Sequence, residues 1–223
     1  MIAEFLGWSA EAWTAIGTLA LAIATVVAVF FAERLRRWVT QTQLTTSVVM
    51  EPPDVHMIEL LTLDPQRNIV GRKQVLWLRM RVSNAIKVAA EAAEVSVLDV
   101  WRIRPNGNRE HLTTFLPLPL LWSHFGAMNI VIPRGLFRHV DLGYLEENEL
   151  GKTQLVVTTI VQPTGVGTDA TSPNLLAAGT YEFEIMVTAA NAKPMKERWK
   201  LTFPETWSSD EAAMTGAVSM VRA

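Results

Sequence analysis

Residues 179–189 read GTYEFEIMVTA, with Tyr181, Phe183, Ile185 and Val187 alternating with Glu182, Glu184, Met186 and Thr188. Side chains that change face at every residue specify a half-buried β-strand, because a helix would need an apolar period near 3.6. Residues 191–194 (NAKP) supply a turn and 197–203 (ERWKLTF) return, which makes a hairpin. The same signal recurs toward the N-terminus. In residues 74–84 (QVLWLRMRVSN), Leu76, Leu78, Met80 and Val82 share one face and Trp77, Arg79, Arg81 and Ser83 the other. Residues 44–50 (LTTSVVM) and 94–104 (EVSVLDVWRIR) are rich in β-branched side chains. Asn106, Gly107 and Asn108 then turn the chain into a strand at 111–116. With further strands at 136–142, 154–161, 181–188 and 198–203, the count is about eight. Pro52, Pro53 and Pro65 suit loops. Residues 85–93 read as one or two helical turns or as a small-residue crossing between strands, and the tail after Trp207 as a short helix or loose chain. Short strands at regular spacing with Gly, Pro and Asn punctuation argue for an antiparallel sandwich.

The N-terminal part follows another rule. Residues 12–32, AWTAIGTLALAIATVVAVFFA, contain no charge and no proline. At about 1.5 Å per helical residue they span roughly 30 Å, the thickness of bilayer hydrocarbon. Glu4 and Glu11 precede the run and Arg34, Arg36 and Arg37 follow it. By the positive-inside tendency the N-terminus lies outside and the β domain in the cytoplasm, at a cell inner membrane. Trp8 and Trp13 before the run and Trp38 after it suit the two headgroup layers. A cleavable signal peptide is the competing reading, but the basic n-region is missing, the run is long, and the arginines lie on the wrong side. An amphipathic surface helix is disfavoured because the segment is apolar on every face. Gly17, Ala20, Ala24 and Ala28 form a small-residue stripe that would let two such helices pack as a homo-oligomer, although alanine is common in spans generally. The expected organisation is a flank at 1–11, a transmembrane helix at 12–32, a basic juxtamembrane linker at 33–43, the β-sandwich at 44–204 and a tail at 205–223.

Charge and composition narrow the function. Glu4 and Glu11 account for the whole formal charge of −2, so the part after residue 32 is neutral. Nucleic acid is held by clustered Lys and Arg, and a neutral domain argues against that partner. The chain has no cysteine, which removes disulfides, thiolate nucleophiles and thiolate metal sites.

Several stretches carry a resemblance: a strand ending in Ser83-Asn84, an Ala-rich link, Val95-Ser96-Val97, FLPLPLLWSHFG (115–126), IPRGLFRHVDLGYLE (132–146) and the closing GTYEFEIMVTAANA. Together they resemble immunoglobulin-like, CARDB-like bacterial sandwiches, and uncharacterised bacterial single-pass membrane proteins that couple one N-terminal span to such a domain. The resemblance covers most of residues 44–204. It implies a fold and an interaction role and transfers no catalytic residue. It also implies a domain outside the cell, against the orientation that the flanking charges favour.

Residues able to carry chemistry are few. His139 and Asp141, two apart on one strand, would share a face, and His124 could join them as metal ligands, yet zinc-site spacing is lacking. Ser123-His124 lies outside any nucleophile-elbow pattern. Glu146, Glu147 and Glu149 lack the spacing of a calcium loop, and Gly165-Val166-Gly167 lacks the GK[ST] ending of a phosphate loop. No cofactor and no catalysis are expected. In 115–125 (FLPLPLLWSHF), Pro117 and Pro119 would block central-strand hydrogen bonds. The stretch therefore reads as an edge strand or loop covering the core, or alternatively as an exposed partner contact through Leu118, Leu120, Trp122 and Phe125. The sequence thus specifies a membrane-tethered module that binds a protein partner, with an extracytoplasmic adhesion module and a metal- or ligand-binding enzyme domain as rivals.

Overall fold

The computed structural model describes residues 9–85, 88–159 and 174–223, with the side chains of 33, 35–40 and 63 left aside. The chain forms two units, 1–41 and 42–223.

The first unit is one helix, α1 (Ala10–Thr40). Its segment Ala10–Ala32 is long and apolar enough to cross a membrane. Ser9 caps it, its Oγ accepting from the Ala12 amide. The hydroxyls of Thr14, Thr18 and Thr25 donate to the carbonyls four residues back, so these polar atoms are satisfied inside the helix. Helix α1 continues to Thr40, through most of the stretch 33–43 expected as a basic juxtamembrane linker. Trp8 and the side chains of Arg36, Arg37 and Trp38 lie outside the described residues; Trp13 is described and half-buried, and Arg34 is exposed.

The second unit is mainly β, built from two antiparallel sheets of seven strands each. In chain order the strands are β1 (Leu44–Ser47), β2 (Val55–Leu63), β3 (Ile69–Asn84), β4 (Ala90–Ile103), β5 (Arg109–His111), β6 (Leu118–Pro119), β7 (Leu121–Trp122), β8 (Ile130–Ile132), β9 (Phe137–Glu147), β10 (Thr153–Val157), β11 (Leu175–Ala177), β12 (Gly179–Thr188) and β13 (Met195–Phe203). Helix α2 (Glu211–Ala217) and strand β14 (Ser219–Arg222) complete the chain. One sheet runs β1-β3-β9-β10-β11, with β2 also on β3 and β7 on β9. The other runs β14-β13-β12-β4-β5, with β6 and β8 also on β4.

The alternating residues behave as their period requires. Leu76, Leu78, Met80 and Val82 of β3 and Tyr181, Phe183, Ile185 and Val187 of β12 are all buried in one core. Residues 118–122 bind the sheets together. Leu118 pairs with Val97 of β4, whereas Trp122 pairs with Val140 of β9, so the chain steps from one sheet to the other within five residues. Pro117 and Pro119 suit this short edge crossing, where few ladder amides are needed.

Three expectations are corrected. Among the described residues there are fourteen strands, not about eight. Most additions are short, but β2 has nine residues and lies between the turn residues Pro53 and Pro65. The tail at 205–223 forms the short helix that was one of its two readings, and it belongs to the domain that was expected to end at 204. Asp210 caps α2 by accepting from the Ala213 amide, Met214, Val218 and Met220 enter the core, and β14 pairs with β13. Residues 90–93 belong to β4, with a register shift between Ala90 and Ala93, and residues 86–87 of the 85–93 stretch lie outside the described residues.

Candidate functional site

The polar residues singled out from sequence meet on the outer face of β3 and β9. A register shift lets Asp141 face Arg79 and His139 face Arg81. His139 and Asp141 therefore share a face, as their spacing requires. They do not converge on one point. Asp141 Oδ1 accepts from Trp77 Nε1 at 2.9 Å, from Arg79 Nε at 3.1 Å and from the Ser123 hydroxyl. His139 Nε2 instead lies 2.9 Å from Oδ1 of Asp54.

Asp54, absent from the sequence-based candidates, is the most buried charge of this face, with no exposed surface. Its Oδ1 also accepts from Arg81 Nε at 2.8 Å, and its Oδ2 from the Val49 amide at 3.0 Å. Its carbonyl accepts from the Arg79 amide at 2.8 Å. One aspartate thus fastens the 48–55 loop onto two strands, with each oxygen satisfied. Only a polar residue just before a strand hinted at it, a pattern far too common to single it out. Aromatic rings finish the face. Trp77 stacks on Tyr144 at 5.3 Å, and Arg81 lies 5.1 Å over Phe137.

His56, on β2 opposite Trp77, is held below the usual histidine range, first by burial and then by the positive charge of Arg79. Burial likewise pushes the Tyr144 phenol up.

Ser123, His124 and His139 are not arranged as a nucleophile and its base. The Ser123 hydroxyl is buried and donates to Asp141, while its amide donates to the His139 carbonyl, so no histidine nitrogen takes its proton. His124 follows in a left-handed conformation, φ 67°, at the surface. Among the described residues no three His, Asp or Glu side chains stand where they would hold a metal ion. Glu146 is occupied by Lys73 at 3.0 Å and by Gln154. Residues 165–167 lie outside the described residues. Ser123, His124, Phe125, Leu136, Phe137, Arg138 and His139 line an open cleft of about 570 Å³, in which Phe125, Leu136 and Phe137 are exposed and Ser123 is buried.

The suggested contact patch in 115–125 is corrected in part. Leu118, Leu120 and Trp122 are buried and unavailable to a partner, and Trp122 Nε1 donates to the carbonyls of Ala93 and Met128. Phe125 alone of the four is exposed, at 58%. A different apolar surface lies at the other end of the domain. β3 last pairs with β9 at Val75, yet it runs on to Ile69 with, among the described residues, only β2 beside it. That two-stranded arm exposes Leu61, Ile69 and Val70. Beside them Arg72 bridges Glu59 at 3.0 Å. The β-branched pair Ile69-Val70 before Arg72 and Lys73 was the sequence signal for it, and the sequence reading placed no strand there.

No protein-family model matches the chain, and no curated protein matches it at a significant level.

Proposed function

We propose that the chain is a single-pass inner-membrane protein whose immunoglobulin-like, CARDB-like domain is a non-catalytic module that binds a protein partner through the β2–β3 arm. The arm carries the reading. Two strands without a third are marginal in water, and this pair presents Leu61, Ile69 and Val70 to solvent instead of covering them. The edge of β2 is open as well. The Met57 amide points away from β3 and donates to Glu211 of α2 at 2.8 Å. By the two-residue period the amides of Glu59 and Leu61 point the same way, beyond that helix, where an added strand would pair with them. Tethering raises effective concentration against other membrane-bound partners and makes such a contact useful at modest affinity. The small-residue stripe at Gly17, Ala20, Ala24 and Ala28 would add a homodimer contact.

A photo-crosslinking residue at Val70, in membranes of the source cell, should capture one defined protein that the same residue at Asn106 does not. Equal capture at both positions, or none at either, would overturn the reading.

For orientation, the acidic flank before the span and the arginines after it support a cytoplasmic domain. The resemblance favours an extracytoplasmic one. Digestion of the domain by protease added to intact spheroplasts would settle the second placement against the first.

A further inference from the structure

We infer that the cleft between the 123–126 turn and the start of β9 binds a small carboxylate with an apolar body, held by Arg138 and seated against Phe125 and Phe137. This site is separate from the β2–β3 arm and does not depend on the partner reading.

Two segments form the walls, and both are held in place before any ligand arrives. The Ser123 amide donates to the His139 carbonyl at 2.9 Å, and the amides of Phe125 and Gly126 donate back to the Trp122 carbonyl at 3.2 and 3.3 Å. Left-handed His124, φ 67°, and left-handed Gly126, φ 58°, close this turn and leave the ring of Phe125 exposed. On the other wall the Asn84 amide donates to the Leu136 carbonyl at 3.0 Å. His139 Nε2 is fixed 2.9 Å from the buried Oδ1 of Asp54, and Phe137 meets the His139 ring edge-on at 5.3 Å. Walls fixed in advance lose little freedom on binding, so a small ligand keeps most of its contact energy.

Charge selects the ligand. His124, Arg138 and His139 line the cleft, and among the described residues no Asp or Glu lines it. The carboxylates that touch its residues from behind are already matched, Asp54 by Arg81 at 2.8 Å and Asp141 by Arg79 at 3.1 Å. Arg138 differs. It is half-buried and has no carboxylate partner among the described residues, and its Nη1 donates at 3.2 Å to the carbonyl of its own neighbour Phe137. The other donors of a guanidinium form a planar fork that fits a carboxylate. Phe125, Leu136 and Phe137 supply exposed apolar surface, and about 570 Å³ is a usual size for a small-molecule site. A purely apolar ligand would leave the guanidinium unused and an inorganic anion would leave the rings unused, so one ligand that carries both chemistries fits best.

Phenylpropionate is the probe, and phenylpropanol, of like shape without the charge, is its control. The histidines report position, because His124 and His139 line the cleft whereas His56 on β2 and His111 on β5 do not. In full-length protein held in detergent micelles at constant pH, the four imidazole Cε1–H signals would be assigned from single His→Gln variants. Phenylpropionate should shift the signals of His124 and His139 saturably, with a Kd of about 1 mM or tighter, and leave those of His56 and His111 in place. Replacing the acid by the alcohol, or Arg138→Gln, should each weaken binding about tenfold or more, as loss of one charge-assisted hydrogen bond requires. Unmoved His56 and His111 signals in Arg138→Gln show that the variant is folded. Equal shifts of all four histidines, or no saturable shift up to about 10 mM probe, would overturn the site. Equal affinity for acid and alcohol, or wild-type affinity in Arg138→Gln, would overturn the carboxylate assignment.

Discussion

Arg81 Nε donates to Oδ1 of Asp54 at 2.8 Å, across the outer face of β3, and the carboxylate it reaches is fully buried. Their coupling decides how the 48–55 loop is held. An Asp54→Ala change would strip the partner from Arg81 and His139 and leave the Val49 amide without its acceptor. Loss of one member of a buried, hydrogen-bonded charge group costs about 3 kcal/mol, trimmed here because Arg81 keeps some contact with water. Denaturant unfolding should show a loss of about 2–3 kcal/mol. A change below about 0.5 kcal/mol would mean that the loop is held by something else.

The alternation at 74–84 and 179–188 was enough to place β3 and β12 and to name their buried side chains, because one face of each is solvent-facing and polar. The β2–β3 arm escaped because both of its faces are wet. In VHMIELLTL no two-residue pattern survives, and the prolines on either side pointed to loop. Asp54 escaped for a different reason: its burial comes from strands 25 to 85 positions away, and no local pattern records that. His139 and Asp141 were rightly placed on one face, yet the acceptors and donors that separate them, Asp54 and Ser123, come from distant segments.

Gly143 should tolerate no side chain. It lies at φ +156° next to the β9 register shift, and a Cβ there would meet the Val156 carbonyl oxygen at 2.1 Å. Both β9 and β10 backbones would have to separate. Gly143→Ala is expected to lose more than about 3 kcal/mol, seen as insoluble expression or a strongly lowered Tm. A variant with unchanged Tm would show that the β9–β10 approach is looser than this geometry.

Trp122 and Phe125, three residues apart, should respond in opposite ways. Trp122→Phe removes a donor shared by two carbonyls inside the core, at a cost of about 1–3 kcal/mol. Phe125→Ala touches an exposed ring and should stay within about 0.5 kcal/mol. Parallel thermal melts test the pair, and equal losses would contradict the division of 115–125 into a buried crossing and an exposed tip.

His56 gives the domain a pH dependence of known sign. Burial and Arg79 lower its pKa in the folded state below the ordinary histidine value of about 6.5, so the unfolded chain binds the proton more readily. Its contribution is fully present above about pH 6.5 and is lost as pH falls through that value toward the folded pKa. Measured against His56→Gln, which does not titrate, the wild type should lose relative stability between about pH 7.5 and 5. A difference that stays constant over that range, or widens in favour of the wild type, would contradict the lowered pKa.

Removal of residues 205–223 tests whether the tail is an appendage or a part of the fold. Met214, Val218 and Met220 would leave the core, and β13 would lose β14 together with the 2.9 Å bridge from Arg222 to Glu197. Burial of each such side chain is worth about 1.5–3 kcal/mol, so the three apolar side chains alone approach the 5–15 kcal/mol by which a typical domain is stable. Trp199 and Leu201, now shielded by β14, would line an open edge, and an exposed apolar edge strand invites association. The truncated chain is therefore expected to lose its cooperative melt and to aggregate. A sharp thermal transition within a few degrees of the full-length protein would return residues 205–223 to the status of a dispensable tail.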